Sequence, residues 1–275
     1  MSYKTILVRA DCGKRTDVCI EVAIRMAMQH DAHLIALYTQ EPFVIPAYLI
    51  QAGQEVIKAQ KKFADDETAR IKSVYKNKTL SMGFKNTEWL YTLGFSADIL
   101  VQQARYADLV VVGQADSSDK SNANKDFNAQ LVLAAGRPIL ILPYAGSFLN
   151  IGSRILIAWN ASREATRAIT DTLPLLKRAD SVNLIALSPK HDAQGHIPID
   201  DIVLYLARHG VNVEVSKDHV TDIDAGNAIL SCAADFGSDL LVMGGYGRSR
   251  LREWVLGGAT RTILESMTVP VLMSH

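Results

Sequence analysis

The sequence predicts an α/β fold used twice, in two tandem units that are each built on an open parallel sheet. Three observations carry this. Strand-like and helix-like patterns alternate along the whole chain. The strands are near-continuous apolar runs, as expected of parallel strands covered on both faces. The strand and helix order of the first half recurs in the second.

The first strand, Thr5-Ile6-Leu7-Val8-Arg9-Ala10-Asp11, is β-branched and ends in a polar residue. Its counterpart is Arg154-Ile155-Leu156-Ile157-Ala158-Trp159-Asn160. A polar turn and a helical pattern follow each, with Cys19, Val22, Ala23 and Met26 inward in the first copy and Ala165, Ala168, Ile169 and Leu173 in the second. Further strands are expected near Leu34, Trp89, Val111 and Leu140, then near Leu184, Val213, Val242 and Leu272. Asp108-Leu109-Val110-Val111-Val112-Gly113 parallels Asp239-Leu240-Leu241-Val242-Met243-Gly244, and the run Arg137 to Pro143 parallels Val269 to Met273. The halves differ in one segment. Gln51 to Lys76 predicts a long charged helix with Val56, Ile57, Phe63, Ala64, Ile71 and Val74 inward, either a lid or a packing extension; its counterpart, Pro198 to Arg208, is short. Tyr144 to Asn150 reads as the joint, which gives domains 1–147 and 151–275.

Composition bounds the function. The 275 residues include 29 basic and 29 acidic side chains and are 48% hydrophobic. This balance argues against nucleic-acid or membrane-surface attraction, and no run is long enough for an integral membrane span. Three cysteines without a CxxC pair argue against a disulfide framework or zinc site, and with too short an N-terminal apolar stretch for a signal peptide they suggest the cytoplasm. Cys12 reads as an inert thiol and Cys19 as core. His191 and His196 share a polar loop but do not suffice for a metal site.

The stretch after the penultimate strand, Gly244 to Leu264, concentrates the chemistry. It lies where ligands of open parallel sheets bind, beyond the strand carboxyl ends. Gly244 and Gly247 flank a bend, and Gly257 and Gly258 precede a helix whose free N–H groups favour an anion. Arg248, Arg250 and Arg252 would add charge-assisted contacts, or form a solvated loop face. Gly244-x-x-Gly247, nine residues and Gly257 resemble the nucleotide motif of the universal stress protein family. That pattern usually ends in Gly followed by Ser or Thr, whereas Gly258 stands here, so one hydroxyl contact is missing; Thr260 is near but off the motif position.

The resemblance spans the chain, once per half, and implies a tandem member with five-stranded, adenine nucleotide alpha hydrolase-like, Rossmann-like sandwiches. It further implies an internal pseudo-dimer, with the halves joined through the last strands near Leu140 and Leu272, edges that would otherwise be a liability. ATP-binding members use an acidic residue after strand one. Asp11 matches it in the first half and the uncharged Asn160 in the second; either side chain would equally cap its own turn. Leu187, at the end of the second half's second strand, would frame the base. In the first half Asp116 takes the second glycine position, so that motif is degenerate. A site crossing the halves ranks below one within 151–275.

The expected function is therefore a regulatory or protective stress-response protein. It would bind ATP or another adenine nucleotide, with Mg²⁺ where ATP is bound, through Asn160, Leu187, Gly244, Gly247, Arg248, Gly257 and Gly258. No general base stands beside the loop in the sequence, so at most slow ATP hydrolysis is expected. Walker and Ser-Gly-Gly-x-Asp phosphate loops are absent. The alternative is a nucleotide-independent scaffold for a protein partner or an apolar ligand, for which Pro42 to Ile50 offers an apolar segment. A homodimer of whole chains is compatible with either.

Overall fold

The computed structural model describes residues 2–11, 13–41, 54–115, 126–186, 199–216, 225–247 and 258–275. The first half runs β1 (Thr5–Arg9), a 3-10 turn (Gly13–Arg15), α1 (Thr16–His30), β2 (His33–Gln40), α2 (Gln54–Ser81), β3 (Thr87–Leu93), α3 (Ser96–Ala104), β4 (Leu109–Gly113), α4 (Asp126–Ala134) and β5 (Ile139–Leu142). The second runs β6 (Arg154–Trp159), α5 (Arg163–Leu176), β7 (Ser181–Ala186), α6 (Ile199–Arg208), β8 (Glu214–Ser216), α7 (Ala225–Asp235), β9 (Leu240–Gly244), α8 (Gly258–Ser266) and β10 (Val271–Ser274).

The ten strands form one sheet in the order β3-β2-β1-β4-β5-β10-β9-β6-β7-β8. Pairing is parallel within each half and antiparallel once, at the centre. There Ile141 faces Val271, Leu140 faces Leu272 and Ile139 faces Met273. The halves thus join where the apolar last strands lead one to expect, and each hides the other's edge. β5 and β10 are buried along their whole length. Their side chains alternate between two cores. Leu140 and Leu272 enter the layer under α1, α2, α5 and α6. Ile139, Ile141, Val271 and Met273 enter the layer under α3, α4, α7 and α8.

The repeat extends to polar detail. In the first half the Asp108 carboxylate accepts the N–H groups of Lys4 and Thr5, at 2.7 and 3.0 Å. In the second, Asp239 accepts those of Gly152, Ser153 and Arg154, at 2.8 to 3.2 Å. Each aspartate opens its own strand, β4 or β9, and closes the free N–H groups at the start of the neighbouring β1 or β6. The helix stripes also match expectation: Cys19, Val22, Ala23, Met26, Ala165, Ala168, Ile169 and Leu173 are all buried.

The long helix departs from expectation. Within α2 the buried side chains are Ile71, Tyr75 and Thr79, while Ile57 and Phe63 are 43% and 73% exposed. At 1.5 Å per residue a helix of 28 residues far exceeds the height of this sheet. Its carboxyl-terminal part packs on α1 and β2, where the Tyr75 hydroxyl meets Thr87 Oγ1 at 3.0 Å, and its first turns project beyond the sheet. The expected inward stripe therefore holds for Ile71, in part for Val56, Ala64 and Val74, and fails for Ile57 and Phe63.

Side chains pin the halves beside the strand pair. Tyr3 donates to Asp171 O at 2.8 Å, and Gln114 Nε2 to Leu264 O at 2.9 Å. His30, at the end of α1, meets the Tyr3 ring in a tilted contact, 4.8 Å between ring centres, in this seam. Burial, reinforced by Arg178 of the other half, pulls its pKa from 6.5 down to about 4. A base held neutral in the fold but protonated when unfolded stabilises fully above pH 6.5, and its contribution fades as pH falls toward 4. Urea unfolding followed from pH 7 to 4 should show up to roughly 3 kcal/mol of lost stability from this group. The curve of His30→Gln should be flatter across that window.

Candidate functional site

In each half the chain leaves β1 or β6 toward one edge of the sheet and returns on its other side as β4 or β9. The switch points, where a crevice opens at the strand carboxyl ends, therefore lie between β1 and β4 and between β6 and β9. Because β5 and β10 are antiparallel, the carboxyl ends of the two halves face opposite edges of the sheet. Asp11 and the loop after β9 thus lie at opposite edges, which removes a site shared between them.

Around the second switch point the structure brings together Asn160, the first turn of α5, Gly244 to Gly247 and the start of α8. Gly244 has a packing role. A Cβ there would stand 2.5 Å from Ala165 N and 2.7 Å from Glu164 C, so glycine lets α5 press its backbone onto β9. Gly247 differs. The nearest described atoms to a Cβ there are Glu164 Oε2 at 3.6 Å and Ser162 Oγ at 3.9 Å, ordinary contact distances, and its φ is not positive. No described atom lies within 4 Å of a Cβ on Gly258. Among the described residues, packing demands the first glycine and not the other two.

Tyr246 between them is buried with φ of 55°, a left-handed conformation that costs on the order of 1 kcal/mol outside glycine. Its N–H points at Thr260 Oγ1 at 3.3 Å, which ties the loop to the first turn of α8. Thr260 is therefore engaged with the loop's own backbone. Asn160 Oδ1 accepts Ser162 N–H at 3.1 Å, and Asp11 Oδ1 meets Gly13 N at 3.4 Å in the first half. Both residues take the turn-capping role. Ser162 in turn caps α5 by accepting Ala165 N–H at 3.1 Å.

Glu164 was not expected here. It lies in the first turn of α5, 6% exposed, with its carboxylate against Gly247. Burial pushes its carboxyl up, but its own backbone N–H and Arg163, 3.1 Å away, outweigh that and hold it below the ordinary range. It is thus an ionised acid beside the loop, and corrects the expectation that no such group stands there. The sequence signal was weak, because a first-turn glutamate ordinarily faces solvent and complements the helix dipole. The close approach at Gly244 presses its backbone onto β9.

Leu187, Arg248 and Gly257 lie outside the described residues, as do Arg250, Arg252, Cys12, Pro42 to Ile50, Asp116, His191 and His196. In the first half the position after β4 is Gln114, which is buried and spans to Tyr144 N at 3.0 Å and to Leu264 O across the seam. It acts as a strut where the second half has Gly245. No helix among the described residues is long and apolar enough to cross a membrane.

Fold and site together define a tandem α/β protein with a glycine-bearing turn after β9. Residues 153–275 match the family model described as the Universal stress protein family. A universal stress protein of Synechocystis sp. is 24% identical over 210 residues, 72% of this chain and 68% of that protein. Among solved structures, a universal stress protein from Archaeoglobus fulgidus aligns over 98% of this chain and 97% of its own, with a TM-score of 0.72 at 14% identity. A putative universal stress protein from Pseudomonas aeruginosa aligns over 99% and 93%, with a TM-score of 0.59 at 15% identity. At such identities these two likenesses carry the fold alone. The second half thus resembles the universal stress protein family, and the fold is doubled.

The two kinds of glycine separate by substitution. Gly244→Ala should lower stability by about 1–3 kcal/mol, as overpacking does, whereas Gly247→Ala should unfold within about 0.5 kcal/mol of the parent. Chemical denaturation of the two variants checks both.

Proposed function

We propose that residues 151–275 bind ATP or a related adenine nucleotide at the carboxyl edge of β6 and β9, in a cytoplasmic protein with a regulatory or protective role in stress response. Residues 1–147 form the partner unit, with a degenerate motif. The observation that carries this reading is that, among the described residues, packing demands glycine at Gly244 but not at Gly247 or Gly258. These two stand where α5 and α8 begin, and a ligand phosphate approaching backbone N–H groups is what glycine permits there. In this reading Gly244 holds the floor, Gly247, Gly257 and Gly258 face the phosphates, and Arg248 adds charge. Leu187 frames the base, and Asn160 shapes the turn beside the nucleoside.

Glu164 sets a condition on the ligand. A buried carboxylate next to a phosphate is repulsive unless a cation lies between them. We therefore assign the bound form as the Mg²⁺ complex, with Glu164 on the cation side. The fit is chemical, an oxygen donor suited to a hard cation. One carboxylate gives little means of activating water, so turnover stays slow.

Titration calorimetry with ATP, ADP and AMP, with and without Mg²⁺, tests this directly. The parent should bind at least one of them, and ATP more tightly with Mg²⁺. Gly247→Ala should weaken binding about tenfold, the loss of roughly 1.4 kcal/mol, at unchanged stability. Glu164→Gln should bind Mg²⁺-free ATP more tightly than the parent does, because the opposing charge is gone. Binding unaffected by Gly247→Ala, or none at millimolar nucleotide, would leave the scaffold reading. The capping role of Asn160 and the charge of Glu164 favour that alternative.

A further inference from the structure

A cavity of about 500 Å³ lies far from the glycine loop, where α1, the end of α2 and the joint between the halves meet. Its size falls within the range of small-molecule sites, about 300–1,000 Å³. Met26 and Met28 of α1, Met82 just after α2, and Phe148 and Leu149 of the joint supply its apolar wall, while Arg25, Gln29, Asn150 and Ser153 line it with polar groups. No strand carboxyl end contributes to it.

The wall is half built and half unpaid. Met26 is buried, and Phe148 packs against the core beneath the joint. Arg15 fixes this side by donating to Gly146 O and by standing over the Phe148 ring, 5.9 Å from its centre. Met28 and Leu149, however, are 51% and 61% exposed at the mouth. A protein gains nothing from leaving two such side chains in water beside a preformed hollow, and an apolar body seated there would cover both. Thioethers are pliable and tolerate flat or flexible shapes alike.

The charge at the margin chooses among apolar ligands. Glu21 accepts Arg25 at 2.9 Å and Lys78 at 2.5 Å, so one carboxylate serves two cations. The Lys78 bond, then the Arg25 bond, pulls the Glu21 carboxyl below its ordinary range, which keeps it ionised. The cluster carries one positive charge in excess, and its Arg25 lines the mixed polar and apolar hollow. That arrangement complements a ligand with one negative group on an apolar body.

We propose that this cavity is a second ligand site, and that it takes a small amphipathic carboxylate of the medium-chain fatty-acid class, its chain among the methionines and its carboxylate toward Arg25. The site is independent of the nucleotide reading and of the glycine loop.

The test uses the full chain, with 1-anilinonaphthalene-8-sulfonate as fluorescent probe and decanoate as competitor. Saturable probe binding that decanoate displaces at least tenfold better than decanol is the expected result. Leu149→Asp and Met28→Asp change exposed side chains, so they should keep the parent's unfolding midpoint and near-ultraviolet dichroism while weakening decanoate tenfold or more. Arg25→Gln should remove the preference for decanoate over decanol. Absence of displacement by decanoate would overturn the proposal. So would displacement by ATP that is insensitive to Leu149→Asp, which places the probe at the β6–β9 edge. Equal affinity for decanol and decanoate would overturn the anionic assignment. A dimer that Leu149→Asp converts to monomer without any ligand would show that a second copy covers the cavity, and would also overturn it.

Discussion

The antiparallel pairing of β5 with β10 is the constraint on which the rest of the molecule depends. Each half alone would end in an exposed strand, wholly apolar in Ile139–Leu142 and apolar but for Ser274 in Val271–Ser274. Joined, the two strands become the middle of a ten-stranded sheet, and their side chains feed both helical layers. The same pairing fixes direction. Parallel strands send all their carboxyl ends one way, so reversing the sense once at the centre sends the two ligand edges apart. The halves therefore share a core and a seam without sharing a binding crevice.

The seam has its own polar logic, and it differs between the halves where their chemistry differs. Gln114 reaches across from the end of β4, while the corresponding Gly245 accepts close approach by Val132 of the other half's α4. A long amide in one half and a missing side chain in the other solve the same packing problem from opposite sides. The first half thus spends its loop position on holding the pair together. The second keeps its position bare, beside Gly247, where no described neighbour demands a glycine.

Much of this was legible in the sequence. Apolar runs at regular intervals gave the strands, the repeated order gave the doubling, and the aspartates before β4 and β9 recurred because both halves close the same strand start. The joining of the halves near Leu140 and Leu272 was what the resemblance to the universal stress protein family implied, in keeping with the rule that an apolar edge must be covered. The failures have physical causes. Periodicity marked Ile57 and Phe63 as inward because helical spacing records a face but not whether anything lies against it, and α2 outruns its sheet. Glu164 was missed because its backbone is pressed onto β9 at a glycine eighty residues later in the chain, Gly244, which no local pattern connects to it. The motif glycines looked alike in sequence, yet one is bound to helix packing and two are not, a distinction made only by what surrounds each Cα.

The tether across Tyr144 to Asn150 has a kinetic meaning. Two separate copies of such a unit would meet at a rate set by their concentration and would part on dilution, whereas a short covalent joint holds the partner strand at an effective concentration of order millimolar. Assembly then no longer depends on how much protein is present. It also releases the two surfaces from identity. Strict two-fold symmetry would force every change at a loop to appear twice, at both ends of the sheet; a covalently joined pair can give one crevice to a strut and leave the other open.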